Sequence, residues 1–330
     1  MSSSLAEGTG EGGDELENRI ALVAIGGNSL IKDKKRQSVE DQYEAARETC
    51  QYVADLIEDG WSVIITHGNG PQVGFVLLRS EMARSVLHTL PLELCGADTQ
   101  GGIGYHLQQN LANELRARGI RRPVATVLTQ TVVDHHDPSF SRPDKPIGPF
   151  YTQEEALVHQ REDGWVMVED SGRGWRRVVP SPRPKRIVEL EVIGALLKEG
   201  VAVIALGGGG IPVIEHRGKL TGVAAVIDKD RASALLAVKL KVSHLVISTA
   251  VEKVYLDFGT PRQRAVDVMT VEEAESYLAE GHFKAGSMRP KIEASLDFLR
   301  GGGTEVVIST PENLRSAIRG TAGTRIVHGR

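Results

Sequence analysis

Six short, continuously apolar runs, at residues 20–25, 62–66, 123–128, 201–206, 244–248 and 304–308, constrain the fold more than any other feature of the chain. A strand with one wet face alternates apolar and polar residues, so unbroken runs belong to strands covered on both faces, as in parallel sheets. Helical periodicity fills the gaps. Tyr43, Ala46, Cys50, Val53 and Ile57 fall at three- and four-residue steps, opened by a capping box of Ser38 and Asp41 and closed by Gly60. Residues 187–198, 230–240, 271–279, 288–299 and 311–318 read likewise. Alternating strands and helices with right-handed crossovers predict an α/β fold, an open αβα sandwich with a mostly parallel central sheet.

Residues 138–184 break the alternation with seven of the chain's 14 prolines. That density opposes helix and crowds out central strands, so a small β-hairpin subdomain is expected to protrude there. The predicted organisation is a disordered, Gly/Ser/Glu-rich tail at 1–18, an N-terminal lobe at 19–190 that carries the protrusion, and a C-terminal lobe at 191–330. Lys and Arg total 39 against 43 Asp and Glu, a net charge of −4, which gives no basic footprint for nucleic acid. No apolar stretch approaches a bilayer span and the first residues do not resemble a signal peptide, so a cytoplasmic, membrane-free protein is expected. Cys50 and Cys95 have no metal-like spacing and read as small buried side chains in a reducing compartment.

Glycine makes up 36 of the 330 residues, and its placement carries chemistry. Gly26-Gly27-Asn28, Gly68-Asn69-Gly70 and the run Gly207, Gly208, Gly209 and Gly210 each follow an apolar run directly. In a parallel sheet the ligand crevice lies at the carboxyl ends of the strands, and backbone amides without a Cβ in front of them suit a compact anion. Pro71, after Gly70, sits well at the first position of a helix, whose dipole adds positive potential. Neither the dinucleotide G-x-G-x-x-G spacing nor a Walker motif fits.

Lysines form the second anomaly. Lys229 and Lys291 fall in the first turns of predicted helices, where a cation opposes the helix dipole unless an anion is bound nearby. Asp228 and Asp230 flank Lys229, ready to hold its ammonium or to approach a Mg²⁺ that bridges nucleotide phosphates. Lys145 lies between prolines in the protrusion, as if presented toward the crevice. His135, His136 and Asp137 imitate a metal cluster but lack a facing partner, and His67 reads as a turn residue. Gathered cations, bare amides and no nucleophile describe phosphoryl transfer, in which the protein positions reactants and neutralises charge.

The blocks ALVAIGGNSL (21–30), THGNGPQVG (66–74), TQTVVDHHDPSF (129–140), KPIGPFY (145–151), RGWRRVVPSPRP (173–184), ALGGGGIPV (205–213), GVAAVIDKDRASALLA (222–237), VEKVYLDFGTP (251–261) and AGSMRPKIEA (285–294) resemble the carbamate kinases of the amino-acid kinase family. The resemblance runs in order from about residue 20 to the end. It implies reversible phosphoryl transfer between carbamoyl phosphate and Mg-ADP, giving ATP and carbamate, which decays to ammonia and CO₂, by a homodimeric enzyme. It further implies that Gly26, Gly27, Asn28, Gly68, Asn69 and Gly70 hold the carbamoyl and phosphoryl groups. Lys229 and Lys291 would stabilise transition-state charge, Asp230 would orient them, and Lys145 would close over the site. Gly207, Gly208, Gly209, Gly210, Val254, Tyr255 and Met288 would contact nucleotide, with Mg²⁺ carried by the nucleotide near Asp228 or Asp230. The turn AIGGN lacks the lysine that acetylglutamate kinases place before their glycines, and Lys145 is its natural substitute. Lys284 and Arg289 add cations around Met288 that the resemblance does not imply. A catalytically silent binder on the same fold and, against the glycine spacing, a dinucleotide oxidoreductase are the competing readings.

Overall fold

Strand and helix periods become a three-layer structure in the computed structural model, which describes residues 19–27, 30–31, 36–170, 172–284 and 287–329. In chain order its elements begin with β1 (Ile20–Ile25), α1 (Val39–Glu58), β2 (Ser62–His67), α2 (Gly70–Met82), α3 (Leu92–Ala117), β3 (Val124–Thr126) and β4 (Gln130–Val133). There follow β5 (Lys145–Tyr151), α4 (Gln153–Glu162), β6 (Val166–Glu169), β7 (Trp175–Val179), β8 (Pro184–Ile187), α5 (Leu190–Lys198), β9 (Ala202–Ile204), β10 (Ile211–His216) and β11 (Lys219–Gly222). The remainder is α6 (Lys229–Lys239), β12 (His244–Ser248), β13 (Val254–Leu256), β14 (Arg264–Val266), β15 (Val268–Thr270), α7 (Val271–Ala279), α8 (Met288–Arg300), β16 (Glu305–Ser309), α9 (Leu314–Ile318) and β17 (Thr324–Val327). The expected tail at 1–18 lies outside the described residues.

The central sheet runs β15-β17-β16-β12-β1-β2-β9-β3, parallel throughout except for the β16–β17 pair. β1 occupies the middle, with β2 on one side and β12 on the other, so the strand order reverses there and leaves a crevice beyond the carboxyl ends. Both faces of β1 are covered. Leu22 and Ala24 pack toward α6 and α8, whereas Ala21, Val23 and Ile25 pack toward α1, α3 and α9. Full burial of side chains such as Leu22, Ile64 and Ile65 contributes roughly 1.5–3 kcal/mol each. The capping box of α1 forms as its sequence implies: the Asp41 amide donates to Ser38 Oγ (3.1 Å) and the Ser38 amide to Asp41 Oδ2 (3.0 Å).

Three features differ from the sequence expectation. The protrusion is larger than a hairpin: β5, β7 and β6 form a three-stranded antiparallel sheet, and α4 packs beside it. All seven prolines lie outside residues 150–179, so nothing opposes α4 there, and a Thr152/Glu155 capping box starts it. An Arg84–Asp163 ion pair at 2.7 Å ties the protrusion to the α2 side. Next, β9 and β10, although beyond residue 190, pair with β2, β3 and β4 of the N-terminal half. Finally, β8 takes up residues 184–187, so the helix expected from 187 starts at Leu190. Cys50 and Cys95 are free and buried. No described helix is long and apolar enough to cross a membrane.

Candidate active site

Asp228 sets the register of the site. It caps α6, its Oδ1 accepting the amides of Asp230 (3.0 Å) and Arg231 (3.3 Å), which makes Lys229 and Asp230 the first two residues of the helix. The Asp230 carboxylate takes the Lys229 ammonium on Oδ1 at 2.6 Å, and the Lys291 ammonium, arriving from α8, on Oδ2 at 2.9 Å. Packing of α6 against α8 is therefore what brings residues 62 positions apart onto one carboxylate. Lys229 also donates to the Ala24 carbonyl at the end of β1 (3.5 Å). Ser233, one turn along α6, donates to the Lys229 carbonyl (2.6 Å) and lies 2.7 Å from the Thr66 hydroxyl on β2, fixing the helix against the sheet. Lys145, the first residue of β5, reaches in from the protrusion to Asp228 Oδ2 at 3.1 Å. It is the most exposed of the three lysine side chains, at 37% against 12% for Lys229 and 13% for Lys291.

Burial weakens the Lys229 ammonium, and the repulsion of Lys291 adds to this, while Asp230 opposes both and leaves a net lowering. For Asp230, burial works against ionisation, yet the two ammonium groups outweigh it and hold the carboxyl well below the usual carboxylate range. His67, fully buried and next to Lys229, is pushed down to about 4, mainly by desolvation, and is neutral at physiological pH. Its Nδ1 lies 3.1 Å from the Gly68 carbonyl, a turn contact rather than a catalytic one.

The glycine turns after β1 and β2 meet beside these cations. A Cβ on Gly68 would stand 3.1 Å from the Gly27 amide nitrogen and 3.4 Å from Lys229 Cδ, so the close approach of both turns to Lys229 depends on glycine there. Asn69 stands at the N-cap of α2 but gives its side-chain amide to Thr99 Oγ1 (2.8 Å), leaving the helix start without a side-chain cap. Asn28 lies outside the described residues.

A cleft of about 670 Å³ contains this cluster, a size suited to a nucleotide-scale ligand. Gly26, Gly27, Gly68, Asn69, Gly70, Lys145, Asp228, Lys229, Asp230 and Lys291 line one part, and Tyr255 and Met288 another. Of the remaining nucleotide candidates only Gly208 reaches the wall. Gly207 backs onto His67 and Gln100, Gly209 onto Ile227 and Gly210 onto Thr131, because the turn follows β9, on the β2 side of the sheet. Val254 is fully buried in the core. These four residues are thus second to the wall, and Gly208 faces Asn69. Ser248, Thr249, Ala250 and Val251, with Phe258, Phe283 and Thr310, also form the wall and are not among the residues expected from the sequence. Residues 248–251 follow β12 as the glycine turns follow β1 and β2, so strand-end position would have found them without glycine as the flag. Lys284 also lines the cleft, its Nζ 5.9 Å from the Phe258 ring centroid, whereas Arg289 is engaged by Glu293 (2.9 Å).

The carboxylates of Asp228 and Asp230 are held by donors of this chain. Asp228 Oδ1 holds two backbone amides and Oδ2 holds Lys145, while both oxygens of Asp230 hold lysines, so every oxygen already faces a donor. His135, His136 and Asp137 do not converge on a common point; Asp137 accepts the amides of Ser139 (2.9 Å) and Arg183 (3.0 Å). Buried ammonium groups fixed by one carboxylate, above glycine amides and beside an aromatic-lined recess, can hold a phosphoryl group between two bound partners.

This chain is similar to known proteins over nearly its whole length. It is 47% identical to a carbamate kinase of Thermococcus kodakarensis over 93% of this chain and 98% of that one. It is 49% identical to a carbamate kinase of Clostridium perfringens over 93% and 99%. Among solved structures, carbamate kinase from Giardia lamblia bound to AMP-PNP superposes with a TM-score of 0.90 at 37% identity, over 95% of this chain and 100% of that chain. The amino acid kinase family profile matches residues 19–309, nearly the whole described chain, and with relatives this close over this length the protein belongs to the amino acid kinase family.

Proposed function

We propose that this protein is a carbamate kinase, catalysing reversible phosphoryl transfer between carbamoyl phosphate and Mg-ADP to give ATP and carbamate, which then decays to ammonia and CO₂. One observation carries the reading: Lys229 and Lys291 grip a single buried carboxylate, Asp230, at 2.6 and 2.9 Å, inside a cleft floored by Gly27 and Gly68. Related chains of similar length are named carbamate kinases, and one of them binds AMP-PNP, an ATP analogue.

Charge in phosphoryl transfer spreads over the equatorial oxygens, and catalysis consists of positioning plus neutralisation. Lys229 and Lys291 meet that charge, and Asp230 holds both ammonium groups in place before substrate arrives. The Gly27 and Gly68 turns, with Gly26, Asn28, Asn69 and Gly70, receive the carbamoyl phosphate end. Tyr255 and Met288, with the wall after β12, receive ADP. Gly208 supports Asn69, and Gly207, Gly209 and Gly210 pack behind the wall rather than meeting the nucleotide. Mg²⁺ supplies further charge neutralisation on the nucleotide phosphates that carry it, and Asp228 and Asp230 stay with the lysines. Lys145, the exposed member, closes from the protrusion when substrate binds, and that closure excludes water. The acceptor oxygens of carbamate and ADP are already anionic, so no general base is required, in keeping with a neutral, buried His67.

The chain acts as a cytoplasmic homodimer in this reading, and the exposed apolar Met82, at the end of α2, with Val86 and Leu87 after it, offers a surface for the pairing. The direct experiment mixes the protein with Mg-ADP and carbamoyl phosphate and follows ATP release by luminescence. Steady turnover that depends on both substrates is expected. ADP binding without ATP formation would favour the silent binder and overturn the assignment.

A further inference from the structure

His282 joins two segments of the cleft wall through both nitrogens of its ring. The close of α7 fixes where it stands: Gly281, at a φ of +81°, turns the chain and donates its amide to the Leu278 carbonyl (3.3 Å), and the His282 amide donates to the Tyr277 carbonyl (3.1 Å). The imidazole meets the Tyr277 ring edge-on, with centroids 5.7 Å apart. So placed, Nδ1 lies 3.1 Å from Asp257 Oδ1, in the loop after β13, and Nε2 lies 3.1 Å from Glu280 Oε2, at the end of α7. These are the carboxylates within 4.0 Å of the ring among the described residues, and the cation on the same segment is Lys284. A neutral imidazole carries one N–H and carboxylates only accept, so both contacts are hydrogen bonds only in the imidazolium. The bridge borders the cleft: His282 itself lines it, as do Phe258, which follows Asp257, and Phe283, which follows His282. Phe258 in turn stands beside Tyr255, ring centroids 5.9 Å apart. A second tie between the two segments, Lys284 Nζ 5.9 Å from the Phe258 centroid, is at the outer limit of a cation–π contact.

We infer that His282, in its imidazolium form, is a positioning residue for the nucleotide: by tying Asp257 to the end of α7 it sets the spacing of Phe258 and Phe283, part of the wall that receives ADP. The inference rests on the carbamate kinase reading, which places ADP at this wall. No bond is made or broken at His282, and it acts through the two aromatic residues next to the groups it joins. Losing the second ring proton turns one contact into a nitrogen lone pair facing a carboxylate, and the loop after β13 then parts from α7. Asp257 offers a clean way to remove the charge. Its φ is +52°, a left-handed conformation that Asn tolerates as well as Asp, so Asp257→Asn changes the bridge without changing the backbone.

The test measures Kd for Mg-ADP by calorimetry, between about pH 6 and 9, on the full-length parent, Asp257→Asn, His282→Gln and the double variant. Comparing variant with parent at each pH cancels the titration of the nucleotide itself. At the acidic end each single variant weakens ADP binding by about three- to tenfold, the scale of a part-exposed charged hydrogen bond. The double variant is no worse than either, because all three remove the same bridge. The ratio narrows as pH rises through the histidine range, since the parent then loses the second N–H as well. In ATP formation KM for ADP rises by more than kcat falls, and KM for carbamoyl phosphate moves least. A ratio that stays constant with pH, additive losses in the double variant, or single variants that bind ADP like the parent would overturn the role of His282. A parent that binds no Mg-ADP would instead sink the functional reading beneath it.

Discussion

Asp230→Asn changes one atom and tests the central geometry. The wild-type carboxylate neutralises two ammonium groups whose side chains are 12% and 13% exposed. Asparagine keeps the shape but leaves the two cations, both nearly buried, uncompensated. Removing one partner from a buried ionic cluster costs about 3–5 kcal/mol. For a chain of 330 residues the unfolding entropy is about 0.7 kcal/mol/K, so the melting temperature falls by about 4–7 °C. Folding depresses the Asp230 carboxyl, so its contribution is complete above the ordinary carboxylate range and fades only as pH falls below about 4; at pH 7 the whole deficit is visible. Activity carries a second signature. Burial and Lys291 already lower Lys229, and Asp230 opposes them, so its loss lowers Lys229 further. The alkaline limb of the kcat profile then moves to lower pH, because the charged form is the one that works. Inorganic phosphate, an anion that can replace the lost carboxylate between the lysines, narrows the melting deficit as it is titrated in. Differential scanning fluorimetry with and without phosphate, together with kcat measured from pH 6 to 10, reads all three effects. A variant that melts within about 1 °C of the parent and keeps its alkaline limb would refute the reasoning.

Three further outcomes follow from the same contacts. Lys291→Ala lowers kcat about 10²-fold or more with little change in melting temperature, since Lys229 still pairs with Asp230; steady-state ATP formation checks this, and a near-normal kcat removes Lys291 from the chemistry. Lys145→Ala impairs turnover but leaves ADP affinity by calorimetry near the parent value, because its contact is Asp228 on the protrusion side; equal damage to ADP binding would place it in the wrong half. Gly208→Ala adds a Cβ 2.3 Å from Asn69 Nδ2 at a φ of +65°, so it destabilises the fold and displaces Asn69; a soluble variant with unaltered melting and KM for carbamoyl phosphate would show that the turn does not support Asn69.

Much of this architecture was legible because the information is local. The unbroken apolar runs gave β1 and β12 with their boundaries intact, and the Ser38/Asp41 box opened α1 as its spacing implies. Helix α3 was harder to see: Gly96, Gly101, Gly102 and Gly104 interrupt it, and Thr99, Gln100 and Asn110 are buried on it as polar residues, so its period is diluted. Proline count was misleading in the protrusion, since the prolines flank α4 without entering it. In the site, first-turn position flagged Lys229 and Lys291, but their meeting on one carboxylate comes from α6 packing on α8, which no spacing encodes. Gly207, Gly209, Gly210 and Val254 shared the surface features of wall residues and lie behind the wall, because whether a strand-end residue faces the crevice depends on which neighbour the strand pairs with.

Two costly features meet at the carboxyl edge of β1 and β2. A cation stands at the start of α6 against its dipole, and Gly68 must leave room for Gly27. Two large apolar clusters, one on each face of the sheet, supply the stability that lets such groups persist. Buried cations whose charge a bound anion would offset, set beside bare glycine amides in one cleft, have the character of a site held ready for its ligand. Lys229→Met removes the cation nearest the glycine turns but leaves Asp230 paired with Lys291, so turnover collapses while the melting temperature moves little and its rise with added inorganic phosphate shrinks; a variant that keeps both its turnover and its phosphate response would break the link between this cluster and function.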